Sequence, residues 1–305
     1  MGEIYMKIDR REFLKLAGMG CVVFVSGLGN LDQSAHGADM GKDDFFFIQI
    51  SDTHWGFTNP AVNPDAKGTL KKAINAVNSL KYPPNFIVFT GDLSHTTDDD
   101  NERRRRLSEF HDIVKTLKVK DIRFLAGEHD AGLDYGKAFQ EFFGKTHYTF
   151  DYNKVHFIVL DNVSKPNSIL GDDQLQWLND DLKLLDKNSR IIVLTHRPLF
   201  DLNPEWDWHT QDGAKAIELL MPFRDVTVFY GHIHQEHHHM TGHIAHHAAK
   251  GTMYPLPVSG SVPKKQPVPW NPSEPYKGLG YRGIDVKSSQ KDLTVMEFGI
   301  KEGNV

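Results

Sequence analysis

Apolar residues in this chain come as short unbroken runs, and between the runs they recur at helical spacing. Phe45-Phe46-Phe47-Ile48, within 43–50, and Phe86-Ile87-Val88-Phe89, within 85–90, lack the polar alternation of a half-solvated strand. They predict strands covered on both faces, as does 122–126. Leu70, Ile74, Val77 and Leu80 predict a helix over 69–80, and a second helix spans 102–117. Two runs, 147–152 and 155–160, flank the turn-like Asn153-Lys154 and read as a hairpin. An Asp start and the inner face Leu175, Leu178, Leu182 and Leu185 mark a helix over 172–185. Strands follow at 190–195 and 226–230 with a helix near 213–220 between them. After Gly251 the chain is Pro-rich and strand-like, ending in 283–286 and 293–298. Such alternation predicts a layered α/β sandwich and excludes a helical bundle or an all-β barrel.

The composition is that of a folded, soluble chain: of 305 residues, 39% are hydrophobic, 25% charged and 11% aromatic. The formal net charge of -5 leaves no electrostatic footprint for a nucleic-acid partner, and none is expected. Histidine is the departure: there are 17, clustered most densely between His232 and His247, and imidazole is the commonest metal ligand.

Asp9-Arg10-Arg11-Glu12-Phe13-Leu14-Lys15 precedes an apolar stretch over 16–28 and the small-residue segment Ser34-Ala35-His36-Gly37-Ala38. This resembles a twin-arginine export signal. Residues 1–37 are expected to be that signal and 38–305 a single domain, with 263–305 its C-terminal strands and loop region. The apolar stretch is shorter than the ~20 residues a spanning helix needs, so no permanent membrane anchor is expected. The expectation is a periplasmic or secreted protein that meets the twin-arginine machinery only transiently. Cys21, the only cysteine, lies in the signal, so no intramolecular disulfide can form.

Most of the buried runs end in a possible metal ligand. The run 45–50 leads into Asp52-Thr53-His54, 85–90 into Gly91-Asp92, and 122–126 into Gly127-Glu128-His129-Asp130. The later runs lead into His196 and into Gly231-His232-Ile233-His234. In open α/β sheets ligands bind beyond the carboxyl ends of the strands, where residues distant in sequence meet. The i, i+2 spacing of Asp52/His54 and His232/His234 places each pair on one side of an extended backbone.

In that order, D-x-H, G-D, G-x-H-D, a lone His and G-H-x-H resemble the calcineurin-like metallophosphoesterase family. Gly-x-x-Gln-Leu-x-Trp-Leu, beginning at Gly171, resembles it as well. The resemblance implies a four-layer α/β/β/α sandwich of two mixed sheets flanked by helices. It also implies a pair of divalent or mixed-valence metal ions. Asp52, His54 and His234 would hold the first, Asp92 would bridge, and Glu128, His196 and His232 would hold the second. A metal-bridging hydroxide would attack the phosphorus of a small phosphomonoester or phosphodiester in line. His129 would assist the leaving group, and Asp130 would orient that imidazole through a hydrogen bond. Oxygen and imidazole donors without sulfur suit manganese, iron or zinc.

Two positions depart from the family. Glu128 stands where the family usually has Asn, which adds a negative charge to the centre. The expectation is weaker attraction for anionic phosphate, together with either selection of a more highly charged second metal such as ferric iron or a slower reaction. The alternative function is a catalytically weak metal-binding or interaction protein on the same scaffold. His95 stands three residues after Asp92, where the purple acid phosphatase branch has Tyr, so a tyrosinate-to-iron colour is not expected.

Other residues divide between function and structure. Trp206, Trp208 and His209 either cover the pocket and contact the substrate or anchor a loop, and Tyr276 and Tyr281 could border the cleft. Trp208, His209 and Tyr281 are the candidate substrate contacts. The histidines from His237 to His247 are read as a polar hairpin in preference to an extra metal site, and Arg103 to Arg106 chiefly as a solvated face.

Overall fold

The unbroken apolar runs are strands buried from two sides, and their alternate residues belong to different cores. A computed structural model describes residues 23–25, 41–289 and 293–302. In chain order its strands and α-helices are β1 (Val23–Val25), β2 (Phe45–Ile50), α1 (Thr69–Asn78), β3 (Phe86–Thr90), α2 (Asp100–Val114), β4 (Ile122–Leu125), α3 (Glu128–Ala131), α4 (Lys137–Phe143), β5 (Tyr148–Tyr152), β6 (Val155–Val159), α5 (Asp172–Leu182), β7 (Arg190–Leu194), α6 (Gly213–Leu220), β8 (Asp225–Tyr230), β9 (His237–Thr241), β10 (Ile244–Ala248), β11 (Gly280–Val286) and β12 (Leu293–Gly299). The twin-arginine run and the small-residue segment lie outside the described residues. From the apolar stretch, β1 is described as a strand parallel to β12.

Two six-stranded sheets form, ordered β1-β12-β11-β2-β3-β4 and β5-β6-β7-β8-β10-β9. Both are mixed: β2, β3 and β4 run parallel while β11 is antiparallel to β2. In the second, β6, β7, β8 and β10 run parallel between two antiparallel edge strands. Phe45, Phe47, Phe86 and Val88 of the first sheet face Phe157, Ile192, Leu194 and Phe229 of the second across a common core. The intervening residues Phe46, Ile48, Ile87 and Phe89 turn outward onto Leu70, Ile74 and Val77 of α1 and Phe110 of α2. On the second sheet Ile158, Ile191 and Val193 turn onto Leu178 of α5 and Ile217 of α6. The period of two thus divides one apolar run between two cores, giving four layers in the expected order.

The helices end where their chemistry changes. Asp99 caps α2, its carboxylate accepting from Asn101 N–H and Glu102 N–H at 2.9 Å each, so the helix starts two residues before the expected position. The basic run on it is paired: Arg103 with Asp134 (3.3 Å), Arg104 with Glu141 (2.7 Å), and Arg105 and Arg106 with Glu102 (2.7 Å each). Among the described residues no helix is long and apolar enough to cross a membrane.

Phe47 is fully buried, stacked on Phe86 at 4.8 Å and edge-on to Phe229 of the other sheet at 6.1 Å. Phe47→Ala is expected to lower the unfolding free energy by about 3–5 kcal/mol, read by guanidinium denaturation. A loss under ~1 kcal/mol would show that the layer between the sheets closes around the hole.

Candidate metal centre

Strands β2, β3 and β4 of one sheet and β7 and β8 of the other end at a common edge, where their loops are tied together by main-chain bonds. Asp52 N–H donates to Gly91 O (3.1 Å), His54 N–H to Asp92 O (2.8 Å) and Gly231 N–H to His196 O (3.0 Å). The candidate ligands gather in two groups, Asp52, His54, Asp92 and His234, and Asp92, Glu128, His196 and His232. Within each, the ligand atoms lie within 4.8 Å of one another. Asp92 belongs to both: its Oδ2 is 3.5 Å from His54 Nε2 and 3.4 Å from His196 Nε2.

The backbone there is not the extended one that the i, i+2 spacing predicts. Asp52, His54, Asp92, His232 and His234 have φ of 52°, 40°, 50°, 64° and 53°, a left-handed region that costs a non-glycine residue on the order of 1 kcal/mol. Each pair is brought inward by a tight turn and not by strand pleating. Gly127 makes the closest approach: a Cβ on it would sit 2.0 Å from Asp92 Oδ1, so no side chain fits. A Cβ on Gly91, at φ 91°, would meet His196 Nδ1 at 2.2 Å.

The imidazoles are oriented from behind. His196 Nδ1–H donates to Thr90 O (2.7 Å), His234 Nδ1–H to Tyr254 O (2.6 Å) and His232 Nε2–H to Asp207 O (2.9 Å). A neutral imidazole with one nitrogen so engaged presents a lone pair at the other, and those nitrogens all face carboxylates. His232 Nδ1 and His196 Nε2 lie 2.9 Å from Glu128 Oε1 and Oε2, and His234 Nε2 lies 3.3 Å from Asp52 Oδ1. Glu128 Oε2, His196 Nε2 and His232 Nδ1 are buried without a hydrogen-bond partner. A divalent cation among them would satisfy all three, so the donor set fits the metal pair that the motifs imply. Burial pushes the Asp52 carboxyl up to about 8, with Asp92 and Glu128 adding to the rise and His196 opposing it. Burial and Glu128 also push on Asp92, but His129, His196 and His54 together hold it well below the usual range.

A family model for calcineurin-like phosphoesterases matches residues 47–236, the span that carries every one of these side chains. The chain belongs to that family. The family's chemistry is the hydrolysis of phosphate esters, and this phosphoesterase is an enzyme of that kind. It is 25% identical over 221 residues to the mouse serine/threonine-protein phosphatase CPPED1, covering 64% of this chain and 70% of that one. It is 29% identical over 204 residues to a probable glycerophosphodiester phosphodiesterase, GpdQ, of Arcobacter nitrofigilis, covering 62% and 71%. A 3',5'-cyclic-nucleotide phosphodiesterase of Nostoc is 26% identical over 184 residues, covering 58% and 66%. The fold is that of a dimetal phosphatase from Danio rerio, with a TM-score of 0.58 over 84% of this chain and 98% of that one at 14% identity.

The phosphoesterase departs from expectation at Asp130. Its carboxylate accepts from Leu93 N–H (2.9 Å), Ser94 N–H (2.8 Å), Ser94 Oγ–H (3.0 Å) and Gly127 N–H (3.0 Å), so it ties the β3 and β4 loops together and does not orient His129. The group behind His129 is Thr96, whose N–H donates to Nδ1 at 3.1 Å and whose hydroxyl also contacts Nδ1. Arg106 in turn holds the carbonyls of His95 and Thr96 at 2.8 and 3.2 Å. His95 Nδ1 lies 3.3 Å from His54 Nδ1, and its ring stacks on His129.

Tyr254 was not expected at the centre. Its ring stacks on both His54 and His234, and its hydroxyl reaches within 3.3 Å of His54 Nε2. Tyr254 reaches the centre because it follows β10, which pairs parallel with β8 and ends at the same edge, a pairing no sequence pattern announced. Trp208 and Tyr281, expected at the substrate, are 1% and 4% exposed. Trp208 packs on Trp206 and belongs to a cluster with Tyr230 and Ile233, while Tyr281 stacks on Phe298. The reason is that apolar rings at loop and strand positions fill the interior first. His209 is half-buried beside Trp208. The histidine run is the hairpin β9–β10, with His238 and His243 exposed and His246 and His247 buried.

Chelation is expected to lower Tm by roughly 5–10 °C, with manganese, iron or zinc restoring it, since a ligand bound only by the folded state stabilises it. A Tm indifferent to both chelator and metal would mean that the cluster holds no cation.

Proposed function

We propose that the chain hydrolyses small phosphate esters at a dinuclear centre in which Asp52, His54 and His234 hold one metal and Glu128, His196 and His232 the other. Asp92 is shared between them, and that sharing carries the reading: one carboxylate oxygen faces both imidazole sets at 3.4–3.5 Å. Manganese, iron or zinc match the donors. Bound there, two cations would offset phosphoryl charge from two sides and make water acidic enough to attack at neutral pH.

His129 is the proton donor in this reading. A main-chain N–H can only donate, so Thr96 N–H makes His129 Nδ1 an acceptor and leaves the neutral ring's proton on Nε2. That Nε2 lies 3.8 Å from Asp92 Oδ2, and the side chain is 24% exposed, far more open than the 2% of Asp92. It stands where a leaving alkoxide could take a proton on its way to solvent. Thr96, not Asp130, sets this tautomer, while Asp130 keeps Leu93, Ser94 and Gly127 in place around Asp92. Tyr254 supplies a further hydroxyl on the His54 side. Burial raises it far above the usual phenol range, so it faces the centre as a neutral donor.

His129→Ala is expected to reduce kcat by about 100-fold or more on an alkyl ester and far less on a p-nitrophenyl ester, whose leaving group needs no proton. Metal content should be unchanged. Equal losses on both substrates would remove the proton-donor role. Assaying a monoester and a diester side by side with each metal separates the two substrate classes, and a metal-loaded protein inert on both would be a binding scaffold.

Export by the twin-arginine route belongs to the same proposal and is supported by Arg10-Arg11 before an apolar, Gly-containing stretch. Replacing both with Lys is expected to hold the full chain in the cytoplasm, as seen by cell fractionation. Unchanged export would refute the route.

A further inference from the structure

Glu128 adds a carboxylate where an amide would be neutral, and the structure places a guanidinium against it. Arg197, the residue after His196, is only 4% exposed, and its Nη2 lies 3.6 Å from Glu128 Oε1. Its Nη1 donates to Asp207 O at 2.8 Å and pairs with Asp207 Oδ2 at 2.6 Å. The same Asp207 carbonyl accepts from His232 Nε2, and His232 Nδ1 faces Glu128 Oε1 at 2.9 Å. A closed ring results: Glu128, His232, the Asp207 carbonyl and Arg197. Asp207 reaches this position with a left-handed backbone of φ 64°.

Burial opposes a charged Glu128, and Arg197 is the largest influence on the other side, followed by His232 and His196. Lys265, half-buried on a cavity of about 340 Å³ that Asp207 also lines, is a second cation near Glu128, but burial lowers its pKa. A guanidinium stays charged at any working pH.

We propose that Glu128 and Arg197 are a matched pair: the carboxylate serves as ligand, and the buried guanidinium restores the positive charge that this carboxylate removes. The pair keeps the centre attractive to phosphate. The proposal rests on the dinuclear reading above. Two divalent cations with three carboxylates carry one formal charge less than the same site with an amide, and Arg197, whose other partner Asp207 is half-exposed and so screened by water, returns that charge at close range. Arg197 is a positioning residue, holding Glu128 in register with His232.

The test is a double-mutant cycle on the full metal-loaded enzyme, using Arg197→Met, Glu128→Asn and the two combined. The readouts are equivalents of metal retained after dialysis and the inhibition constant of inorganic phosphate. Arg197→Met alone is expected to weaken phosphate binding about tenfold, or to release the second metal, because the positive charge beside the ligand carboxylate is lost. Adding Glu128→Asn should bring phosphate affinity back to within roughly threefold of the parent. Single effects that simply multiply, or an Arg197→Met enzyme with two metals and parental phosphate affinity, would overturn the pairing. Arg197→Lys keeps the charge but not the planar fork that spans Asp207 and Glu128, so it is expected to lose less than the tenfold of Arg197→Met. A tenfold loss there would overturn the charge argument even if Arg197→Met fails to fold. A parent that retains no metal would instead refute the dinuclear reading.

Discussion

Three carboxylates and four imidazoles, all buried except the half-buried Glu128, sit within a few ångströms of one another, and the rest of the molecule is arranged to hold them there. Such a cluster is unfavourable by itself. Burial drives Asp52 toward its neutral form, while Asp92 keeps its charge only because imidazoles surround it. Five of these residues adopt left-handed backbone, and polar atoms at the cluster's centre have no hydrogen-bond partner. Local contacts do not offset these costs. Cations between the groups would, and strain, orphaned atoms and convergent lone pairs occur together at that one place.

The layers and the convergence of the candidate ligands could be read from the amino-acid order because both follow from strand behaviour. An unbroken run such as Phe45 to Ile48 is coherent only if both faces are covered, and it is covered by a second sheet and by helices. Strand ends then collect ligands from separate parts of the chain. The groups behind the ligands follow no such rule. Asp130 sits next to His129 in sequence, but three main-chain N–H groups converge on it in space, and a carboxylate surrounded by N–H donors turns toward them. Thr96 reaches His129 because Arg106, in the second turn of α2, grips the carbonyls of His95 and Thr96. No local pattern records that helix position.

Aromatic and histidine positions show the same limit from the other side. Trp208 and Tyr281 occupy loop and strand positions from which a cleft contact and a core contact look identical, and packing decided for the interior. In the β9–β10 hairpin the side chains alternate: His247 contacts Phe229 of the inner core, whereas His239 and His246 contact Phe200 on the outer face. Neighbouring histidines thus lie on opposite faces of one sheet. A cluster in sequence is not a cluster in space when the strand period is two.

Each half of the proposed metal centre draws on both sheets. Asp52, His54 and Asp92 come from the first sheet and meet His234 from the second; Asp92 and Glu128 meet His196 and His232 in the same way. Neither sheet alone can assemble either half, so the ligand spacing is set by the distance between the sheets. That distance is set by the aromatic layer of Phe45, Phe47, Phe86, Phe157 and Phe229 and by polar ties such as Gln49 Nε2–H to Tyr230 O at 3.2 Å. A core so closely packed changes shape in discrete steps, not smoothly. Packing far below the edge therefore acts on the chemistry through geometry: a hole in the layer would displace four ligands against three, and both halves would loosen together.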